Sequence, residues 1–135
     1  MLVWLALAAA APADASGETP AHIVQTYYAA VSRHDYRTAY ALWHGRQGYA
    51  HFRHGYARTK RASVGLLGPV ETEGAVGSLY ATVKVGVDAL LRSGKTQHFA
   101  GSYTLRRAND VPGATPTLRR WHIINANLAK VPAGR

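Results

Sequence analysis

Between positions 79 and 91 the chain alternates without interruption. Leu79, Ala81, Val83, Val85, Val87, Ala89 and Leu91 share one parity, and Tyr80, Thr82, Lys84, Gly86, Asp88 and Leu90 share the other. A period of two is what a half-buried antiparallel strand requires, because successive side chains leave opposite faces. Ser93-Gly94 supplies a turn. The following run then places Phe99, Gly101, Tyr103 and Leu105 on one face, with His98, Ala100, Ser102, Thr104 and Arg106 on the other. Upstream, Val64, Leu66 and, past Gly68-Pro69, Val70 predict a first strand that is bent or bulged at the Gly-Pro step. Glu71 and Glu73 fall beside Gly74 and Gly77, which punctuate the turn into the long strand. After a Pro- and Gly-rich loop at 109–117, a last strand is predicted over 118–128. Its faces are ambiguous, with Trp121 and Ile123 on one parity and Ile124, Ala126 and Leu128 on the other.

The preceding third has helical spacing. Thr19 is a capping residue and Pro20 suits the first helical position. Ile23, Tyr27 and Val31, flanked by Val24 and Tyr28, then recur at three- and four-residue intervals. Asp35 suits the N-cap of a second helix, which carries Tyr36, Ala39, Tyr40 and Trp43 on one side. Capping, rather than catalysis, is the role that position implies. Gly45 and Gly48 interrupt the pattern before a short third helix with Tyr49, Phe52 and Tyr56, ending before Thr59. Two readings fit this concentration of aromatics. Tyrosines on inward faces build a core whose hydroxyls reach its rim, or they place polar points on an apolar pocket wall. Helices followed by strands give an α+β class, in which N-terminal helices pack on the concave face of a curved, mostly antiparallel sheet.

The Tyr27-Tyr28-Ala-Ala-Val helix, the Asp35-Tyr-x-x-Ala-Tyr-x-Leu-Trp43 segment and the hairpin ending in Gly101-Ser-Tyr-Thr-Leu resemble the nuclear-transport-factor-2-like (NTF2-like) superfamily, also called SnoaL-like or ketosteroid-isomerase-like. More narrowly, Phe52-x-x-Gly55-Tyr-Ala-x-Thr59, Glu73-Gly-Ala-x-Gly-Ser78 and Arg106-Arg-x-Asn-Asp-Val-Pro-Gly113 are similar to small secreted bacterial proteins of unassigned function. The resemblance spans roughly Pro20 to Leu128 and implies a cone with a pocket between helices and sheet. Its candidate lining is Tyr27, Tyr40, Trp43, Phe52, Tyr56 and Tyr103. Enzymes of the superfamily place an Asp, or a His–Asp pair, inside the cone. The carboxylates of this sheet do not match that pattern: Asp88 falls on the outward parity, and Glu71 and Glu73 sit at the rim. The expected role is therefore non-catalytic binding of a small apolar ligand or of a partner protein. The alternative is a small-substrate enzyme of isomerase, dehydratase or hydrolase type using the same pocket. Similar folds dimerise through the outer sheet face, which here carries Tyr80, Thr82 and Leu90.

Composition narrows the partners. The chain has 135 residues, one domain by size, and lacks cysteine, so disulfides, thiolate metal sites and cysteine nucleophiles are excluded. Lys and Arg number 16 against 7 Asp and Glu, a formal charge of +9, which favours anionic partners. Arg106-Arg107 and Arg119-Arg120 would gather at one sheet end if their strands pair, and guanidinium suits carboxylate and phosphate. Arg53, Arg58, Lys60 and Arg61 form a second basic group. His44, His51 and His54 have no carboxylate nearby to complete a metal site, and Gly45 and Gly48 break the helix between them. No cofactor or metal is expected. The almost wholly apolar run at 2–11, followed by Ala11-Pro-Ala13 and Ala13-Asp-Ala15, reads as a secretory signal, although no Lys or Arg precedes it. It is too short to span a bilayer, which needs about 20 apolar residues. The expected division is a signal peptide at 1–15, cleaved near Ala13 or Ala15, a domain at 19–129 and a tail at 130–135. The mature chain, starting near Ala15 or Ser16, would lose Asp14. A periplasmic or secreted location makes an anionic envelope component or an acidic protein a more natural partner than nucleic acid.

Overall fold

The computed structural model describes residues 13–14, 17–45, 47–109 and 112–132; the apolar run at 2–11 and the end of the tail at 133–135 lie outside the described residues. Five strands follow three helices: α1 (Pro20–Ser32), α2 (Tyr36–Ala41), α3 (Tyr49–His54), β1 (Thr59–Leu66), β2 (Glu71–Ala75), β3 (Ser78–Leu91), β4 (Thr96–Ala108) and β5 (His122–Val131). The sheet runs β1-β3-β4-β5, with β2 also paired to β3, and every pairing is antiparallel. The alternating run at 79–91 is its spine. Ala81, Val83, Val85, Val87 and Ala89 are all buried, and the opposite parity is more exposed.

The bent first strand expected from Val64 to Val70 ends at Leu66, and a separate strand begins at Glu71. β1 lies along Val85 to Leu91, and β2 lies along Ser78 to Thr82 on the same edge of β3. Gly68, at φ 139°, and Pro69, which has no N–H to donate, separate them. The last strand begins at His122 and extends to Val131 rather than covering 118–128. Residues before it turn instead, with the Arg120 N–H donating to the Thr117 carbonyl at 3.2 Å.

A bulge resolves the two faces of that strand. Thr104 is opposite Asn125 and Leu105 is opposite Ile123, so Ile124 has no partner and parity changes there. Ile123 thereby sits opposite inward-facing Leu105, while Ala126 and Leu128 sit opposite inward-facing Tyr103 and Gly101. At Gly101 the backbone of β5 occupies the space a side chain would need. A Cβ at that position would come within 1.9 Å of the Asn127 carbonyl oxygen.

The helices roof the concave face. Thr19 Oγ1 accepts the His22 N–H at 3.2 Å with Pro20 in the first turn, as the sequence implies. α1 then buries Ile23, Val24, Tyr27, Tyr28, Ala30 and Val31 against the sheet. Asp35 caps α2: one oxygen accepts the Thr38 N–H at 3.3 Å and the other accepts the Thr38 hydroxyl at 2.7 Å. These bonds, the hydroxyl first, hold its pKa below the usual carboxylate range. The end of α1 also closes the free edge of β1. Ser32 Oγ donates to the Ala62 carbonyl at 2.6 Å and accepts the Ala62 N–H at 2.9 Å. His34, at φ 62°, places Nε2 2.8 Å from the Lys60 carbonyl.

Candidate functional site

Between the helical roof and the concave sheet lies a cavity of about 490 Å³, within the range of roughly 300–1,000 Å³ usual for small-molecule sites. Each element contributes by its own geometry. α1 sends down Tyr27 and Tyr28, adjacent in sequence but splayed, with ring centroids 5.1 Å apart and planes at 84°. Trp43 follows α2, where backbone pairing with Ile123 of β5 fixes it: the His44 N–H donates to the Ile123 carbonyl at 2.9 Å and the Ile123 N–H to the Leu42 carbonyl at 2.8 Å. α3 offers His51, Phe52 and His54, then Tyr56 just beyond. The sheet closes the floor with Val87, Phe99, Tyr103 and Leu128.

Two phenol pairs are among the polar features of the lining. The Tyr27 and Tyr56 hydroxyls hydrogen-bond to each other, as do those of Tyr28 and Tyr103. In each pair one hydroxyl donates to the other, so one O–H per pair is left unused by that bond. The Trp43 Nε1–H adds a further donor. It lies close enough to Tyr27 to ease that phenol's ionisation, yet outside bonding geometry, and it is buried without a hydrogen-bond partner. Burial dominates the acidity of all four phenols. It pushes Tyr27 up to about 12, against relief from Tyr56 and Trp43. Tyr28, Tyr56 and Tyr103 are also raised, in each case by burial first and then by a neighbouring phenol. The wall thus favours neutral groups, since a low-dielectric site penalises whatever is ionised. No Asp, Glu, Lys or Arg belongs to the described lining.

Of the six lining candidates, Tyr27, Trp43, Phe52, Tyr56 and Tyr103 face this cavity and Tyr40 does not. The Tyr40 hydroxyl donates to the Gln47 carbonyl at 2.6 Å, and its ring packs on Tyr49 and Phe52 behind the wall. Sequence reasoning passed over His51, His54, Gln47 and Gln97, which are also part of the lining. For the two histidines a signal existed: positions 51 and 54 flank Phe52 on a one-and-a-half-turn helix, too short to hide a whole side from the cone. Gln47 precedes α3 in a segment without period, and Gln97 is reached only through the β3–β4 register.

Arg106 and Arg107, adjacent on β4, leave opposite faces of the strand. Arg106 Nε donates to Ser78 Oγ at 3.1 Å. Arg107, on the other parity, lays its guanidinium 5.5 Å from the centre of the buried Trp121 ring and donates to the Ala108 carbonyl at 3.3 Å. Arg119 and Arg120 precede β5 in the turn rather than lying on it. Asp88 is exposed on the outer face and pairs with His98 Nδ1 at 2.5 Å. Among the described residues, no group of three or more His, Asp or Glu side chains could hold a metal ion.

Comparison with solved structures identifies the architecture. The chain is similar to a nuclear transport factor 2 (NTF2-like) superfamily protein from Salmonella enterica serovar Typhimurium, with a TM-score of 0.57 and 14% identity over 84% of this chain and 89% of that one. It is also similar to a conserved protein from Planctomyces limnophilus, with a TM-score of 0.55 and 15% identity over 82% and 93% of the two chains. No protein-family model matches the sequence, and no curated protein matches it. At such identities the likeness speaks for the fold alone: helices over a curved, unclosed antiparallel sheet, the NTF2-like fold.

Proposed function

We propose that this chain is an exported, non-catalytic NTF2-like domain that takes a small, largely apolar and uncharged molecule into its cone. The observation that carries this reading is the composition of the cavity wall. Aromatic and aliphatic side chains enclose a volume suited to a small molecule, and the described lining offers phenols, Trp43, Gln47, Gln97 and two histidines as polar points but no Asp, Glu, Lys or Arg. The chemistry they recognise is a carbonyl, ether or other acceptor on an apolar frame, because a charged guest would lose its hydration without a counter-charge in the wall.

Native mass spectrometry of the protein purified from its own cell envelope tests this directly. The expected result is a retained neutral species released on denaturation. A Trp43→Phe variant should keep the fold and lose about tenfold in affinity, the equivalent of roughly one hydrogen bond. A cone that retains nothing, and whose tryptophan fluorescence ignores apolar carbonyl probes, would remove the basis of the proposal.

The presence of His51 and His54 in the lining favours one second reading, a small-substrate enzyme with a rim histidine as general base. Neither imidazole hydrogen-bonds a carboxylate among the described residues, whereas a positioned acid–base pair would need such an orienting partner. Turnover of the retained molecule that is abolished in His51→Ala or His54→Ala, with binding intact, would establish the enzyme instead.

A further inference from the structure

Asp14 is a carboxylate built into the folded domain, with 7% of its surface exposed. Its Oδ2 accepts the backbone N–H of Trp121 at 2.9 Å, across 107 positions of sequence. Its Oδ1 accepts the Glu18 N–H at 3.1 Å. The Asp14 N–H donates to the Glu18 carbonyl at 2.8 Å, and the Asp14 carbonyl accepts the Gly17 N–H at 2.9 Å. Gly17 adopts φ 87°, a left-handed conformation open to glycine. The Asp14 contacts lie just before the Thr19 cap and join the start of α1 to the segment entering β5. Ala13, the residue just before it, is exposed.

We propose that signal peptidase cuts the Ala13–Asp14 bond, so that the mature chain begins at Asp14. This inference rests on the export reading above. Ala11-Pro-Ala13 and Ala13-Asp-Ala15 both satisfy the small-x-small requirement, so the motif alone does not choose between them. The fold does. Hydrolysis at the first bond adds water across the Ala13 carbonyl carbon and the Asp14 nitrogen. Ala13 leaves as the carboxylate end of the released peptide, and Asp14 retains an α-amine that is largely protonated at neutral pH. That ammonium keeps hydrogens for the Glu18 carbonyl, and both carboxylate contacts remain. Hydrolysis after Ala15 removes Asp14 altogether, and with it the acceptor of a buried backbone N–H and of the Glu18 N–H. Loss of a buried acceptor is costly, because its donor partner gives up a bond that water does not readily replace.

The full chain, expressed with export in a Gram-negative host, should be recovered from the periplasm with an intact mass and N-terminal sequence starting at Asp14. Two shorter chains, released from a fusion partner to begin at Asp14 and at Ser16, supply the physical control. The first should melt about 5 °C above the second. A mature terminus at Ser16 would overturn the proposal and leave export standing. An uncut chain confined to the cytoplasm would overturn both. Equal melting of the two shorter chains would also count against it, since the proposal requires Asp14 to stabilise the domain.

Discussion

Tyr28 and Tyr103 show how a single hydroxyl acts in this molecule. Their mutual hydrogen bond is buried between α1 and β4, so Tyr28→Phe strands a polar atom in an apolar wall. The expected loss is about 1–3 kcal/mol by chemical denaturation. The double variant Tyr28→Phe/Tyr103→Phe should recover part of it, because two matched apolar rings leave nothing unsatisfied. A double variant that loses the sum of the two singles would show that the hydroxyls act separately. Gly101 tests the opposite limit, where an added atom has no room. A Cβ there meets the backbone of β5 rather than a movable side chain, so Gly101→Val should separate β4 from β5. Overpacking costs about 1–3 kcal/mol even where side chains can adjust; here most of the protein should be insoluble or unfolded by circular dichroism. The requirement for glycine at this position was not legible in the sequence. It depends on how closely a strand more than twenty residues away approaches.

Among the elements, α1 does two things at once. Its inward face supplies the aromatic roof, and Ser32 at its end, with His34 just beyond, satisfies the edge of β1. Ser32→Ala removes a donor and an acceptor from Ala62 together and should cost about 1–2 kcal/mol. Amide hydrogen exchange should localise the loss to β1 while β3 and β4 keep their protection; uniform loosening of the sheet would contradict that division. The helices, their caps at Thr19 and Asp35, and the β3–β4 hairpin were readable from local pattern, since spacing and capping chemistry act within a few residues. β2 was not. Its five residues are all exposed and it has no apolar period to reveal it. The parity of β5 was hidden for a different reason: the bulge at Ile124 switches faces mid-strand, so a strict alternation rule assigns half of the strand wrongly.

For the whole molecule, the buried phenols predict how stability responds to alkali. Tyr27 is raised to about 12 in the folded state, while an exposed tyrosine ionises near 10. The folded form therefore holds its proton over a window in which the unfolded chain has lost it. The stabilisation is complete below about pH 10 and is lost as pH rises toward 12, by about 2–3 kcal/mol for Tyr27 alone. Burial raises Tyr28, Tyr56 and Tyr103 in the same direction. The share of tyrosinate absorbance that belongs to these four should then rise together with loss of secondary structure in one cooperative step. Tyrosines that all titrate near pH 10 with the fold intact would show that the cone interior is wetter than its geometry indicates. A bound neutral ligand should move the step to higher pH by stabilising the folded form.

The sequence by itself determined the class and much of the wall. Period-two and helical spacing are local consequences of side-chain direction, so an α+β order, the inward face of β3 and most of the cone's aromatic lining follow from spacing and resemblance together. Tertiary structure decided what depends on distant backbones meeting. It set Tyr40 behind the wall and the histidines in its lining, ended the bent strand at Leu66 with a separate strand after it, and sent Arg106 and Arg107 to different surroundings. It also drew Asp14 into the domain, through a hydrogen bond to Trp121 that no reading of the N-terminal run alone could anticipate. Contacts of that kind are set by register and closure, and neither is written in any short stretch of the chain.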